Sequence, residues 1–354
     1  MTSADRLTKP NQDYIYKTAL MIVIFIIVVI AGLTYVKWWP YYHKALKAIS
    51  EHTIGSSILT GSENGALSWS SALEYAEKYF ISIWKAAVFG ILLGSLVQVL
   101  LPYNWLERVL GKSTFRTTLI GGMVSLPGMM CSCCAAPIAA GMRKRNVSVG
   151  ASLAFWIGNP VLNPATLIFM TFVLSWKFTL IRLVFGVLLT FGVSFLANRI
   201  ADKPIATNKE IKDFSEHKPE DRSPFLIRWM KSLGLLFLQV VPAYLIAVLV
   251  LGAFQGWMFP VSMNSSLLAI LIFAIAGTLF VIPTAAEIPI IVSFLALGVG
   301  AGPSTALLLT LPAVSLPSLL MVRKSFSNKI VLFVAVSVIV CGILSGLIGM
   351  FLLK

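Results

Sequence analysis

Three thiols fall within four residues in the stretch Met129-Met130-Cys131-Ser132-Cys133-Cys134-Ala135-Ala136-Pro137. Thiolates bind soft ions such as trivalent arsenic, copper(I) or zinc, which makes Cys131, Cys133 and Cys134 candidate ligands for a metal or metalloid, with Ser132 beside them. A helix opening at such a cluster favours the thiolate, because its N-terminal dipole stabilises the anion. Cys341 stands apart in a plain apolar run and reads as a packing residue.

Two further segments carry chemistry. In Gly158-Asn159-Pro160-Val161-Leu162-Asn163-Pro164, two Asn-Pro steps lie four residues apart. Each proline removes a donor and keeps the residue before it out of helical geometry, so the helix unwinds there. Freed carbonyls and the amides of Asn159 and Asn163 are then expected to face a cavity. The stretch Leu311-Pro312-Ala313-Val314-Ser315-Leu316-Pro317-Ser318 repeats the break, with Ser315 where Asn163 stood. The third segment is Pro283-Thr284-Ala285-Ala286-Glu287-Ile288-Pro289. Glu287 is the only acidic residue inside an apolar segment. A carboxylate held in a bilayer costs kilocalories unless it is protonated, paired or hydrated, so Glu287 is the candidate coupling residue, with Thr284 the hydroxyl of the same segment.

These residues sit in a membrane frame. Of 354 residues 58% are apolar and 12% charged, against about 45–50% and about 25% in soluble domains. Apolar runs of membrane-spanning length recur from Thr18 onward. A soluble enzyme is excluded, and the expectation is a protein that is not an enzyme and needs no cofactor. The 28 Lys and Arg against 14 Asp and Glu lie mostly in short segments between the runs, a topology signal and no nucleic-acid footprint. His43, His52 and His217 lie in polar segments, which argues against an intramembrane histidine metal site. Thr18 to Val36 reads as an uncleaved anchor. Tyr41 to Glu51 reads as an interfacial helix, with Trp38, Trp39, Tyr41 and Tyr42 as an aromatic belt. Lys85, Lys177 and Arg182 are expected to snorkel from span ends.

An offset of 152 residues aligns Pro137 with Pro289, Gly150 with Gly302, Ala154 with Ala306 and Pro160 with Pro312. The chain therefore reads as duplicated. Placing the basic segments inside works only if Phe115 to Met142 and Ser265 to Leu297 are re-entrant hairpins broken near their middles. The expected fold is an all-α polytopic membrane protein with an inverted repeat, seven spans and two re-entrant, broken-helix hairpins. Its parts are 1–78 (tail, first helix and outer segment), 79–200 (first repeat, with the cysteine hairpin), 201–230 (charged cytoplasmic linker) and 231–354 (second, inverted repeat, with the glutamate hairpin).

Cys131, Ser132, Cys133 and Pro137, the break at Asn163 and Pro164, and the spacing of Pro283, Glu287 and Pro289 resemble the YraQ-like family of bacterial permeases, which includes the organoarsenical efflux permeases. The resemblance covers about residues 79 to 352. It implies a multi-pass permease of a bacterial inner membrane and, for the arsenical branch, efflux of trivalent methylated arsenicals through cysteine contacts. The chain departs from that branch in having Pro127-Gly128-Met129-Met130 where Thr-Pro-Phe is usual, and in the extra thiol of Cys134.

The leading expectation is a secondary transporter. It would export a soft or thiol-reactive solute such as a trivalent organoarsenical, held by Cys131, Ser132, Cys133, Cys134, Asn159, Asn163, Thr284, Glu287 and Ser315. Its partners would be that small solute and the lipid bilayer, with the N-terminus and linker cytoplasmic. The alternative is a transmembrane thiol-disulfide oxidoreductase built on the same three cysteines. Adjacent or near-adjacent cysteines close strained rings, which weighs against it.

Overall fold

The computed structural model describes residues 12–55, 57–59, 69–101, 103–201, 224–259 and 267–353. The basic residues Arg6 and Lys9, residues 202–223 of the charged linker and residues 260–264 of the loop Gly256 to Asn264 lie outside the described residues, and the linker's last residues, from Phe225, already belong to a helix. Among the described residues every element is helical, and seven stretches are long and apolar enough to cross a membrane. They are Ala19–Glu51, Ala72–Leu100, Val149–Val173, Trp176–Ile200, Phe225–Ala253, Ala301–Val322 and Asn328–Leu352.

In chain order the helices are α1 (Gln12–Leu33), α2 (Trp39–Glu51), α3 (Trp69–Leu100), α4 (Tyr103–Leu110), α5 (Phe115–Ser125) and α6 (Ser132–Lys144). There follow α7 (Val149–Val161), α8 (Pro164–Val173), α9 (Trp176–Val187), α10 (Ser194–Ile200) and α11 (Phe225–Ala253). The last six are α12 (Gln255–Met258), α13 (Leu267–Leu279), α14 (Glu287–Ala296), α15 (Ala301–Ala313), α16 (Leu316–Val322) and α17 (Asn328–Leu352). The pairs α5 with α6 and α13 with α14 have only 10 to 13 residues per helix. At 1.5 Å per residue each arm reaches about 15–20 Å, short of a bilayer core of about 30 Å.

Centre and periphery follow from hydrophobic pattern. A helix that is apolar all round buries all its faces, and in α7 every residue is buried. The broken helices α7–α8 and α15–α16 form the middle of the bundle, each 83% buried over its most apolar window. α1 is the opposite case, 6% buried, with a row of exposed Ile and Val suited to lipid. Four pairs of helix starts keep the 152-residue offset, Phe115 and Leu267, Val149 and Ala301, Pro164 and Leu316, Trp176 and Asn328, whereas α6 and α14 start at Ser132 and Glu287, off that register. Equivalent helices also find equivalent neighbours, α5 packing on α7 as α13 packs on α15.

The N-terminal region differs from the sequence expectation. α1 runs without interruption through a π-helical turn, Thr34–Trp38, into α2, so Tyr41 to Glu51 extends one long helix. Pro40 explains the turn. It has no N–H for the carbonyl of Val36, and widening the helix lets Trp39 N donate to Thr34 O instead. The belt divides accordingly. Trp39 and Tyr42 are exposed, whereas Tyr41 is buried against Phe169 of α8.

Helix α3 approaches α6 through Gly90 and Gly94, where small residues permit close backbone contact. A Cβ on Gly90 would stand 2.8 Å from the carbonyl oxygen of Cys134. Gly90→Ala is expected to destabilise by about 1–3 kcal/mol, because backbone must move to admit the methyl group. Gly234→Ala in α11 meets nothing within 4 Å and is expected to be neutral or stabilising by up to about 1 kcal/mol. Thermal unfolding of the two purified variants measures the contrast.

Candidate permeation site

The α5–α6 pair breaks at Leu126–Gly128, a single 3-10 turn, followed by Met129 at φ +48. The α13–α14 pair breaks over the residues just before Glu287, with Ala285 at φ +69. Both non-glycine residues hold left-handed backbone, which costs energy and persists only where surrounding structure imposes it.

Non-helical backbone inside an apolar bundle needs partners, and side chains of neighbouring helices supply them. Trp38 Nε1 donates to the carbonyl of Pro127 at 2.9 Å, and Met130 N donates to Asn159 Oδ1 at 3.4 Å. Trp156 Nε1 donates to Ser132 O at 2.8 Å. Tyr75 Oη donates to Val281 O in the second break. Only the second Asn-Pro step breaks the helix: α7 runs through Asn159 and Pro160 to Val161, and α8 starts afresh at Pro164 with Asn163 as its cap. The carbonyls before that break go to Arg182, whose Nη2 reaches Pro160 O at 2.8 Å and whose Nε reaches Val161 O at 3.2 Å.

Cys131 is the N-cap of α6, its Sγ accepting from Cys134 N at 3.4 Å. The spacing of three residues across the first helical turn also brings Cys131 Sγ and Cys134 Sγ to 2.9 Å. Cys133 points elsewhere, with its Sγ 3.1 Å from Ser315 Oγ at the start of α16. Ser132 Oγ also meets Ser315 Oγ, at 3.4 Å. Two of the three thiols thus converge. Among the described residues no group of three or more His, Cys, Asp or Glu is placed to hold a metal ion.

The cluster separates two spaces. Cys133 and Cys134 border an apolar cavity of about 60 Å³, walled by Phe80 and Ile83 of α3 and by Val240 and Tyr244 of α11. Cys131 borders a smaller void of about 10 Å³, shared with Thr284, Glu287, Pro160 and Pro312. The break before α6, with its thiols, and the break before α14, with its carboxylate, therefore meet at one point.

Asn159 and Asn163 do not face open cavity. Asn159 donates to Phe155 O at 2.8 Å while holding Met130 N, and Asn163 Oδ1 caps α8 at Ala165 N and Thr166 N. Prolines that unwind a helix leave donors beside them, and the short amides are the nearest acceptors.

Arg182 does not snorkel. It is 1% exposed and forms an ion pair with Glu287, equally buried, at 2.8 Å. A buried acid requires a buried base, so the lone intramembrane Glu287 was itself the sequence signal for a partner such as Arg182. Lys177 is exposed at the start of α9, whereas Lys85, also exposed, lies midway along α3 and not at a span end, its Nζ over the rings of Tyr35 and Trp84. Lys37, 6% exposed, is a second buried base, and its Nζ donates to Thr284 Oγ1 at 3.0 Å and Tyr41 Oη at 3.2 Å. The only sequence signal for Lys37 is a lysine closing the first apolar run.

Broken apolar helices meeting around thiols and charge are transporter architecture, and the comparison with known proteins agrees. Residues 68–351 match the family of predicted permeases designated ArsP_1. The chain belongs to that family. This permease is 51% identical over 327 residues to the UPF0718 protein YraQ of Escherichia coli, an alignment covering 91% of this chain and 93% of that protein. It is 22% identical over 336 residues to the UPF0718 protein MJ0584 of Methanocaldococcus jannaschii, covering 74% of this chain and 91% of that protein. It is 26% identical over 286 residues, 76% of this chain and 93% of the relative, to a Streptococcus mutans protein named as a subunit of a two-component membrane permease complex. No solved structure matches the chain. The permease family makes a small solute crossing the membrane the natural cargo.

Proposed function

We propose that this permease is a secondary transporter that exports a soft or thiol-reactive solute, such as a trivalent organoarsenical, across the inner membrane of a bacterium. The observation that carries the reading is the shared void. Cys131 from one broken helix pair and Thr284 and Glu287 from the other line it together. The two pairs act as re-entrant hairpins of an inverted repeat, with the N-terminus and the central linker cytoplasmic. The 152-residue offset shared by four pairs of helix starts and the basic end of α6, Arg143 and Lys144, support that arrangement. Inverted halves exchange conformations, which gives alternating access.

In this reading the solute enters the apolar cavity, meets Cys134 and Cys133, and passes to Cys131 beside the second hairpin. Ser132 and Ser315 join the two halves on the way, while Asn159 and Asn163 hold the breaks open. Glu287 couples transport to protons. Protonating it would release Arg182, which also holds the Pro160 and Val161 carbonyls, so a proton at hairpin two loosens the break in α7–α8.

The test is intracellular accumulation of methylarsenite in cells stripped of their own exporters, with arsenite and copper as comparators. Wild type is expected to lower methylarsenite, and Cys131→Ser and Glu287→Gln at matched expression are expected not to. Equal accumulation with and without the permease for every solute would remove the soft-solute reading.

One observation favours a second reading. Ring strain counts against disulfides between Cys131 and Cys133 or Cys133 and Cys134, but Cys131 and Cys134 stand in Cys-Xaa-Xaa-Cys spacing at a helix start with sulfurs 2.9 Å apart. Oxidation of that pair gives one disulfide, two protons and two electrons, which an external disulfide would accept. Acid trapping of the thiols in cells distinguishes the readings, since a transporter keeps the pair reduced through turnover.

A further inference from the structure

The first helix places a cation at the site for which the transport reading gives no role. Lys37 lies in the π-turn Thr34–Trp38, and such turns often mark functional positions. Its neighbour Trp38 is bonded to the first hairpin through Pro127 O, and Lys37 itself to the second through Thr284. An ammonium has three donors. Tyr41 and Thr284 take two.

The charges do not balance around this point. Glu287 is committed to Arg182 at 2.8 Å, and among the described residues Lys37 has no carboxylate within ion-pair distance. With Cys131 as the neutral thiol, Lys37 and Arg182 against Glu287 leave one positive charge in excess. A buried charge without a counter-charge is costly, and the favourable complement is an anionic group on the solute. The second observation is independent. Glu287 Oε2 is buried with no hydrogen-bond partner, on a residue lining the void with Thr284 and Cys131. Lys37 stands behind Thr284, at the edge of the void that Glu287 and Cys131 line, so a spare donor on a cation and a spare acceptor on a carboxylate lie to either side of Thr284.

We propose that the site takes a small monoanion that keeps one hydroxyl hydrogen on a soft central atom, the class of hydrogen sulfite and hydrogen selenite, and that Lys37 is the residue selecting for its charge. The anionic oxygen meets the remaining donor of Lys37, the hydroxyl donates to Glu287 Oε2, and the lone pair of the central atom accepts from the neutral Cys131 thiol. The proposal rests on the soft-solute reading for that last contact and adds the solute's charge.

Sulfite at mildly acidic pH, where hydrogen sulfite predominates, is the probe. Its binding is read from thermal unfolding of the purified, reduced full-length protein, with sulfate and methylarsenite as comparators. Sulfite is expected to stabilise wild type where sulfate does not. Lys37→Met is expected to weaken sulfite binding at least about tenfold, well beyond any change in the methylarsenite response, with Lys37→Arg retaining most of the sulfite effect. Should Lys37→Met fail to fold, Thr284→Val, which removes the lysine's anchor, is expected to weaken sulfite binding in the same direction. Equal sulfite binding in wild type and the folded variant, or no sulfite effect on wild type, overturns the proposal. Methylarsenite that binds through Cys131 while sulfite does not would sink this inference and spare the soft-solute reading. Sulfite binding that depends on Lys37 without any methylarsenite binding would do the reverse.

Discussion

Arg182→Met is expected to abolish transport and to destabilise the permease by about 3–5 kcal/mol, because it leaves Glu287 as an unpaired buried charge. Two carbonyls, Pro160 O and Val161 O, lose their donor in the same step. Glu287→Gln is the milder change. It removes the charge but keeps an oxygen within reach of Arg182, at the cost of an unbalanced guanidinium. The double variant Arg182→Met with Glu287→Leu is expected to recover much of the lost stability, since replacing both members of a buried pair with apolar groups is often close to neutral. It should still not transport. Thermal unfolding in detergent alongside solute flux in proteoliposomes separates the two effects. Additive destabilisation in the double variant would mean that the pair is not coupled.

Cys134→Ser is expected to impair methylarsenite export as strongly as Cys131→Ser, at least about tenfold, which corresponds to about 1.4 kcal/mol of lost solute contact. The two sulfurs at 2.9 Å form one donor pair at the start of α6. Cys133→Ser is expected to cost less, because Cys133 Sγ is directed at Ser315 and a hydroxyl preserves that contact. Cys341→Ser, remote in α17, serves as the reference. Export rates at matched expression give the ranking, and equal losses at all three clustered cysteines would argue that they act as a single three-thiol ligand set.

The uneven legibility of the site has a physical basis in three residues. Glu287 stood out because a carboxylate in an apolar run is costly wherever the chain folds. Arg182 did not, because a long basic side chain near a span end has two low-energy options, the headgroup region or a buried acid. Lys37 had the same two options, and the π-turn at Pro40 directs it inward. Asn163 was legible as the mark of a break and Asn159 was not one, since α7 continues through it; their amides serve the α8 cap and the backbone of Met130. Donors exposed by unwinding take the nearest acceptor.

What the sequence determined by itself is what local chemistry encodes. Apolar length sets membrane residence, and cysteine clustering sets where thiols are available, each within a few residues of chain; proline marks the neighbourhood of the breaks, although Pro137, Pro160, Pro242 and Pro312 sit within helices. The 152-residue offset recurs in the helix starts because each half repeats the same local signals. Only the tertiary structure decided partnership. Arg182 and Glu287 are 105 residues apart and Lys37 and Thr284 are 247 apart, so no local pattern joins them. Helix packing brings them within hydrogen-bond reach, and in a low-dielectric interior that reach decides which charges balance and which remain for a solute.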